Sequence, residues 1–338
     1  MKKLLKELCL INGVSGDENS VREYIIDKVK DLCEYSVDNL GNLICFKKGR
    51  KAPSKKLMIA AHMDEVGFIV TAVKDDGTLS FDAVGGVDPS VVIGRQVKVG
   101  KNHLNGVVGS VAVHNLSGEE KEKTPEFDNL SIDIGASDAA EAKKYVNPGD
   151  CVYFDSEYIE FGDNHIKSKA IDDRAGCAVM IKLMQQELKY DTFFVFNVQE
   201  EIGLRGSTVS AFSVQPDIAV VLEATTAADI DGVGGAKKVC SLGGGPVVSF
   251  MDRSTVYDKE LYRLAFDIAG KEGIPCQTKS MIAGGNDSGA IHISGSGVRT
   301  LAVSVPCRYL HSPSCVIDYS DVEDSYRLVK SLIKKVAD

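Results

Sequence analysis

Two histidines and a set of carboxylates stand where short apolar runs end. His62 and Asp64 follow Leu57–Ala61, Glu200 and Glu201 follow Thr192–Val198, and Glu223 follows Ile218–Leu222. His311 lies shortly beyond the run Arg299–Val305, and Asp172 and Asp173 precede a helical stretch. If the runs are strands, four of them deliver metal-type side chains at their C-terminal ends, the edge where open α/β sheets place ligands. Each feature has an ordinary explanation when taken alone. An Asp-Asp before a helix commonly caps it, a lone His after a strand is more often packed or solvated than ligating, and a Glu-Glu pair usually faces water. Convergence changes the reading, because several carboxylates at one edge repel one another unless cations neutralise them.

The spacings suit a division of labour. His62 and Asp64 are two apart in extended chain and face one side, so Asp64 can accept a hydrogen bond from the ring nitrogen that does not ligate. Glu200 and Glu201 are adjacent, so one can ligate while its neighbour holds a nucleophilic water. Asp172, Glu201 and Glu223 supply three negative charges, and a bridging hydroxide would complete the balance against two divalent ions. Nitrogen and oxygen donors without thiolates favour zinc, with cobalt or manganese as alternatives, over calcium or a structural zinc site.

Elements that could position these groups are legible in the pattern. Helical periodicity covers 15–32, Arg174–Leu188, Lys259–Glu272 and Tyr319–Val336, and strands are predicted over the runs already named. Between about Phe68 and Gly162 the texture changes to short β-rich runs, Val91–Val99, Val107–Val113, Leu130–Ile134 and Cys151–Phe154, with a short helix near Ala139–Tyr145. The charged tract 117–126 reads as an exposed, solvated loop. The fold class expected is α/β: a mixed sheet with helices on both faces, residues 1–67 and 163–338, interrupted by a small β-barrel-like insert at 68–162. The 338 residues carry a formal charge of −9 and no basic patch, which argues against nucleic acid as a partner. Nine scattered cysteines, odd in number and without C-x-x-C, suit a reducing compartment. The N-terminal M-K-K-L-L-K-E-L-C-L is patterned as a short amphipathic helix rather than a signal peptide. No stretch reaches the roughly 18 apolar residues of a membrane span. A cytoplasmic location is expected.

Five strings, A-H-M-D-E-V-G-F at 61–68, K-A-I-D-D-R-A-G at 169–176, Q-E-E-I-G-L-R-G at 199–206, G-G-N-D-S-G at 284–289 and R-Y-L-H-S at 308–312, resemble the tetrahedral (TET) aminopeptidases in order and spacing. The resemblance implies removal of N-terminal residues from peptides with a free N-terminus, using two divalent metal ions. It implies that Asp172 bridges both ions, with His62 and Glu223 completing one site and Glu201 and His311 the other. Glu200 would be the general base, and Asp64 would orient His62. A non-proline cis peptide is often found between the acids matching Asp172 and Asp173. The pocket for the first residue would be bordered by S-F-M-D-R-S at 249–254, with Asp252, by Asn286 and Asp287, and by Arg308. The insert would be a dimerisation domain, the dimers building a twelve-subunit shell. One departure stands out: many relatives carry Asp where this chain has Glu223, and Asp229 is a weaker substitute. Sugar cleavage by paired carboxylates competes poorly, since it needs no metal and leaves both histidines unexplained. Hydrolysis of another amide shares the metal chemistry and stays open at this stage.

Overall fold

The computed structural model describes residues 1–115, 117–118 and 123–336, so residues 119–122 of the loop expected at 117–126 lie outside the described residues. The frame is an eight-stranded mixed sheet. Its first hairpin is β1 (Glu34–Val37) and β2 (Leu43–Lys47), followed by β3 (Leu57–His62). The insert contributes β4 (Gly67–Val73), β5 (Leu79–Val84), β6 (Gln96–Val99), β7 (Leu104–Ser110), β8 (Leu130–Asp133) and β9 (Cys151–Phe154). A hairpin of β10 (Ile159–Phe161) and β11 (His165–Ser168) leads back to β12 (Thr192–Asn197), β13 (Ile218–Thr226), β14 (Val247–Val248), β15 (Gln277–Thr278), β16 (Arg299–Cys307) and β17 (Cys315–Asp318). The large sheet runs β1-β2-β12-β3-β13-β16-β14-β15, and its middle members β12, β3, β13 and β16 are parallel.

The central strands are continuous apolar runs because both of their faces are covered. Leu57, Ile59 and Ala61 of β3 join the main core, with the helices Lys2–Leu10, Asn19–Val29, Ile171–Met184, Lys259–Glu272 and Tyr319–Leu332. The alternate residues Met58 and Ala60 join a smaller core, with Ala211 and Val214 of the helix Arg205–Val214 and Ile291 of the helix Ser288–Ile291. Helices therefore lie on both faces, as the pattern predicts. The insert closes as a six-stranded antiparallel barrel, β4-β5-β8-β7-β6-β9. Its own core is knit by Phe68 against Phe81, Phe127 and Phe154, with ring centres 5.1–5.9 Å apart. The hairpin β10–β11 pairs with β17 in a separate three-stranded sheet.

Several elements differ from expectation for physical reasons. The apolar run 91–99 is not one strand. Pro89 opens a 3-10 turn at Pro89–Val91, which Asp88 caps by accepting from the Ser90 N–H at 2.8 Å. Gly94, at φ +72°, then turns the chain before β6 begins. β13 does not stop at Leu222. Its backbone continues to Thr226 beside β16, in register Glu223 to Ser304, so Glu223 sits within the strand. The helix expected over 15–32 spans Asn19–Val29, and the closing helix ends at Leu332. Strand β1, E-Y-S-V, and the helix Arg205–Val214 carry too weak an apolar rhythm to be anticipated, whereas the L-I-C-F run of β2 is a strand signal that the expectation omits. No helix among the described residues is long and apolar enough to cross a membrane. All nine cysteines are free, each buried or half-buried.

One buried charge ties the N-terminal segment to the strand-end loop. Arg174, fully buried, donates to the carbonyls of Leu8 (2.6 Å), Ile11 (3.0 Å) and Met63 (2.8 Å). Beside it Glu65 accepts from Lys169 at 2.6 Å and from the Gly13 N–H at 3.0 Å. Removing the guanidinium strands three carbonyls and part of a buried ion network. Arg174→Leu is expected to cost about 3–5 kcal/mol, read as a lowered urea midpoint with an unchanged m-value. A loss under about 1 kcal/mol, the scale of one ordinary hydrogen bond, would contradict the role assigned to the network.

Candidate active site

The six acids and histidines named above as metal ligands and general base meet at the C-terminal edge of the parallel strands. His62 ends β3, Glu200 and Glu201 follow β12, Glu223 projects from β13, and His311 lies in the loop after β16. Asp172 enters from the start of the helix Ile171–Met184, where Asp172 and Asp173 have non-helical backbone angles and a cis peptide joins them. The two oxygens of Asp172 face different partners. Oδ1 is 3.2 Å from His62 Nε2, which is itself 3.3 Å from Glu223 Oε1. Oδ2 is 3.7 Å from His311 Nε2, which is itself 3.3 Å from Glu201 Oε2. Donors ~2.1 Å from a tetrahedral ion stand roughly 3.4 Å apart, so these separations are those of ligand-polyhedron edges. His62, Asp172 and Glu201, and likewise Asp172, Asp173 and Glu223, each bring ligand atoms within 4.8 Å of one another. Glu223 Oε2 is buried without a hydrogen-bond partner, an acceptor that a cation would satisfy.

A second ring of groups holds the first. Asp64, fully buried, accepts from Ser15 Oγ at 2.6 Å and from the backbone N–H groups of Glu200 and Glu201 at 3.1 Å each. Its Oδ1 is 3.3 Å from His62 Nδ1, within ion-pairing reach though not aligned as a hydrogen bond. Asp64 thus braces one histidine and both glutamates at once. His311 is braced by the insert: its Nδ1 is 2.8 Å from the carbonyl of Gly86, which leaves Nε2 free toward Asp172 and Glu201. The turn that brings this carbonyl in needs glycine. A Cβ on Gly85, at φ +87°, would sit 2.8 Å from Val66 and 3.2 Å from the Glu201 Cβ, whereas one on Gly86 would make an ordinary contact with the His311 ring at 3.4 Å.

The electrostatics are those of a site short of positive charge. Burial raises Glu223, Glu200 and Glu201 above the usual carboxylate range, with neighbouring acids adding to it; Glu201 is pushed up to about 7. Burial opposes charge on His311, but Asp172 and Glu201 outweigh it and push the imidazole up to about 10. His62 is raised in the same way by Glu223, Asp172 and Asp64. For Asp172 burial works upward, yet its contacts with His311 and His62 hold it far below the usual range. Divalent ions bound there would supply the positive charge that the cluster lacks.

A cleft of about 420 Å³ opens onto this cluster. Asp172, Glu200, Glu201, Glu223 and His311 line it, together with Asn286. The other residues expected at the substrate pocket are placed differently. Asp252 is buried outside the lining and accepts from the N–H groups of Ser254 and Thr255, 2.8 Å each, and from Tyr257 Oη at 2.5 Å. Asp287 is buried and accepts from Asn197 Nδ2 at 2.7 Å. Arg308 is held bidentately by Asp229 at 2.7 and 2.9 Å, which also engages the acid considered as a substitute for Glu223. His103, His114, His165 and His292 do not line the cleft. Ser15 and Gly86 carry no spacing signal that would mark them, since their partners are remote in sequence.

Gly85→Ala should lower metal uptake by shifting the turn that holds the Gly86 carbonyl against His311; full uptake by metal analysis of the purified, folded variant would refute that brace. In chelator-treated protein the raised pKa of His311 makes its contribution fully present below about pH 6.5 and lost as pH rises toward about 10. Glu201 acts in the same direction between about 4.5 and 7. The melting temperature of the chelated protein should therefore fall from pH 6 to pH 9, and metal addition should flatten that dependence.

Comparison with known proteins reaches nearly the whole chain. Residues 41–328 match the family described as M42 glutamyl aminopeptidase. A putative aminopeptidase of Acetivibrio thermocellus is 42% identical over 98% of both chains. The lysyl aminopeptidase of Pyrococcus furiosus is 33% identical, covering 99% of this chain and 97% of its own. Among solved structures, the Pyrococcus horikoshii TET1 peptidase, described as assembling into a tetrahedron or a large octahedral shell, superposes with a TM-score of 0.88 at 33% identity, covering 99% of each chain. A helix-flanked mixed sheet carrying a closed barrel is thus shared with a solved peptidase over nearly the full length, and this chain belongs to the M42 aminopeptidase family.

Proposed function

We propose that the chain is a dinuclear metal-dependent aminopeptidase that hydrolyses the N-terminal bond of peptides with a free N-terminus. The observation that carries this reading is the split of Asp172, whose two oxygens each face their own histidine and glutamate. His62, Glu223 and Asp172 Oδ1 would hold one divalent ion, and His311, Glu201 and Asp172 Oδ2 the other. The donor set suits zinc, with cobalt or manganese as alternatives. Bound there, the ions would lower the pKa of water and polarise the scissile carbonyl. Glu200 lines the cleft beside the ligands without belonging to either set. Burial raises its affinity for a proton. Those are the properties of a general base that takes a proton from the attacking water and returns it to the leaving amine. Asp64 positions Glu200 through its backbone N–H and steadies His62.

We further read residues 1–67 with 163–338 as the catalytic unit and 68–162 as an inserted dimerisation unit, the dimers building a dodecamer. The shells named for the Pyrococcus horikoshii relative support this reading. Nine free thiols support a cytoplasmic location. The relatives' names do not fix the preferred residue, since the family is described by a glutamyl activity and one relative by a lysyl one.

The test is hydrolysis of one peptide set, with free and with acetylated N-termini, before and after metal removal. Stepwise, metal-dependent loss from free N-termini alone is expected; equal cleavage of blocked peptides would replace this reading with another amidase activity. Glu200→Gln should keep two metal equivalents and lose turnover by roughly 10²–10⁴-fold. Full activity in that variant would remove Glu200 from the base role.

A further inference from the structure

We infer that the free edge of β13 beyond Val221 docks the main chain of the substrate, whose third residue pairs with it as an added parallel strand. The inference rests on the aminopeptidase reading of the same site and adds how the peptide is held past its first residue.

β13 has a neighbour on both sides only along its first part. It pairs with β16 from Ile218 to Thr226, but with β3 only from Ile218 to Val221, where Val221 lies opposite Ala60. Beyond that point β3 stays with β12, and Met63 donates its N–H to the Asn197 carbonyl at 2.7 Å. The N–H and C=O of one strand residue point to the same side, and those of the next residue to the opposite side. Ala227 donates to the Cys307 carbonyl on β16 at 2.8 Å, so Thr225 faces β16 as well, while Ala224 and Thr226 face the vacated side. Two contacts agree with this alternation. Ala224 N–H reaches the side chain of Glu223, whose Oε1 is 3.2 Å away, and the Thr226 carbonyl accepts from Cys240 Sγ at 3.3 Å. Among the described residues, no side chain or loop donates to the Ala224 carbonyl or accepts from the Thr226 N–H. Ala224, Thr225 and Thr226 line the same cleft as Glu223.

Ala224 is buried, so the missing bond at its carbonyl costs free energy that a guest main chain recovers. Parallel pairing fits both open groups at once: a guest residue opposite Thr225 donates its N–H to the Ala224 carbonyl and accepts from the Thr226 N–H. The direction agrees. With the first residue at the cluster beside Glu223, the peptide leaves along β13 toward Thr226, N- to C-terminus in the strand's own sense. Paired strands rise equally per residue, so the residue opposite Thr225 is the third. Recognition past the first residue then depends on backbone and not on sequence, which suits stepwise shortening of varied peptides.

Metal-loaded enzyme is assayed on the pentapeptide Leu-Ala-Ala-Ala-Ala and on two forms, N-methylated at the amide nitrogen of residue three or of residue four. Methylation at residue three removes the donor to Ala224 and should raise KM roughly five- to tenfold with kcat little changed, the effect of losing one binding hydrogen bond away from the reacting bond. Methylation at residue four, whose N–H points away from β13, should leave KM within about twofold of the parent. Thr226→Pro removes the strand's donor at an edge position where proline is tolerated. It should lower the ratio of kcat/KM for the pentapeptide to that for Leu-p-nitroanilide, which has no third residue, whereas Thr226→Val should keep the wild-type ratio. Equal KM for all three peptides, equal losses at both methylated positions, or a ratio unmoved in Thr226→Pro overturns the inference while leaving the aminopeptidase reading intact. Failure to hydrolyse both the unmodified pentapeptide and Leu-p-nitroanilide overturns both.

Discussion

Mutual repulsion among buried carboxylates is the constraint around which the molecule is arranged. Asp172, Glu201 and Glu223 come together with Glu200 and Asp64 at one sheet edge, where burial alone drives most of them toward the protonated state. A fold left to its own stability would not gather them there. It does so because four parallel strands end side by side and because a second set of groups holds each acid in place. Asp64 is the most economical of these, since one carboxylate fixes the backbone of both glutamates and faces His62.

The support for that cluster extends outward in layers. Behind Asp64 lies the buried group of Glu65, Lys169 and Arg174, which fastens the N-terminal segment to the loop after β3 through carbonyls at residues 8, 11 and 63. The strands themselves are apolar on both faces, so side chains at their ends have little freedom to settle elsewhere. Polar residues near the rim are also committed: Asn197, at the end of β12, bridges Ser210 and Asp287. This commitment is why Asp252, Asp287 and Arg308, chosen by their place in motifs, have partners within the protein.

How much of this was legible in sequence depended on whether the signal was local. The strands Leu57–His62 and Thr192–Asn197 declare themselves by unbroken apolar runs, and the helix Lys259–Glu272 by its periodicity and the capping Asp258. The helix Arg205–Val214 does not, because R-G-S-T-V-S-A-F-S-V is rich in serine and lacks an apolar stripe; its formation depends on close packing at Gly206, where a Cβ would meet the Val198 carbonyl at 2.2 Å. The end of β13 was hidden because Glu223 interrupts the apolar run while the backbone pairing continues. In the site, the meeting of these acids and histidines was readable from strand-end positions and from motif resemblance. The partners of the Gly85-Gly86 turn were not, since they are set by contacts between segments far apart in the chain.

The contact between Gly86 and His311 has a bearing on how the cluster is completed as the chain folds. It joins a residue of the barrel segment to one more than two hundred positions later. The barrel can close on its own core first, but the ring of His311 acquires its orientation only when the C-terminal segment has docked against the turn. A partly folded molecule therefore lacks the finished cluster. The geometry of the cluster is thus completed by the docking of distant segments and not by either segment alone.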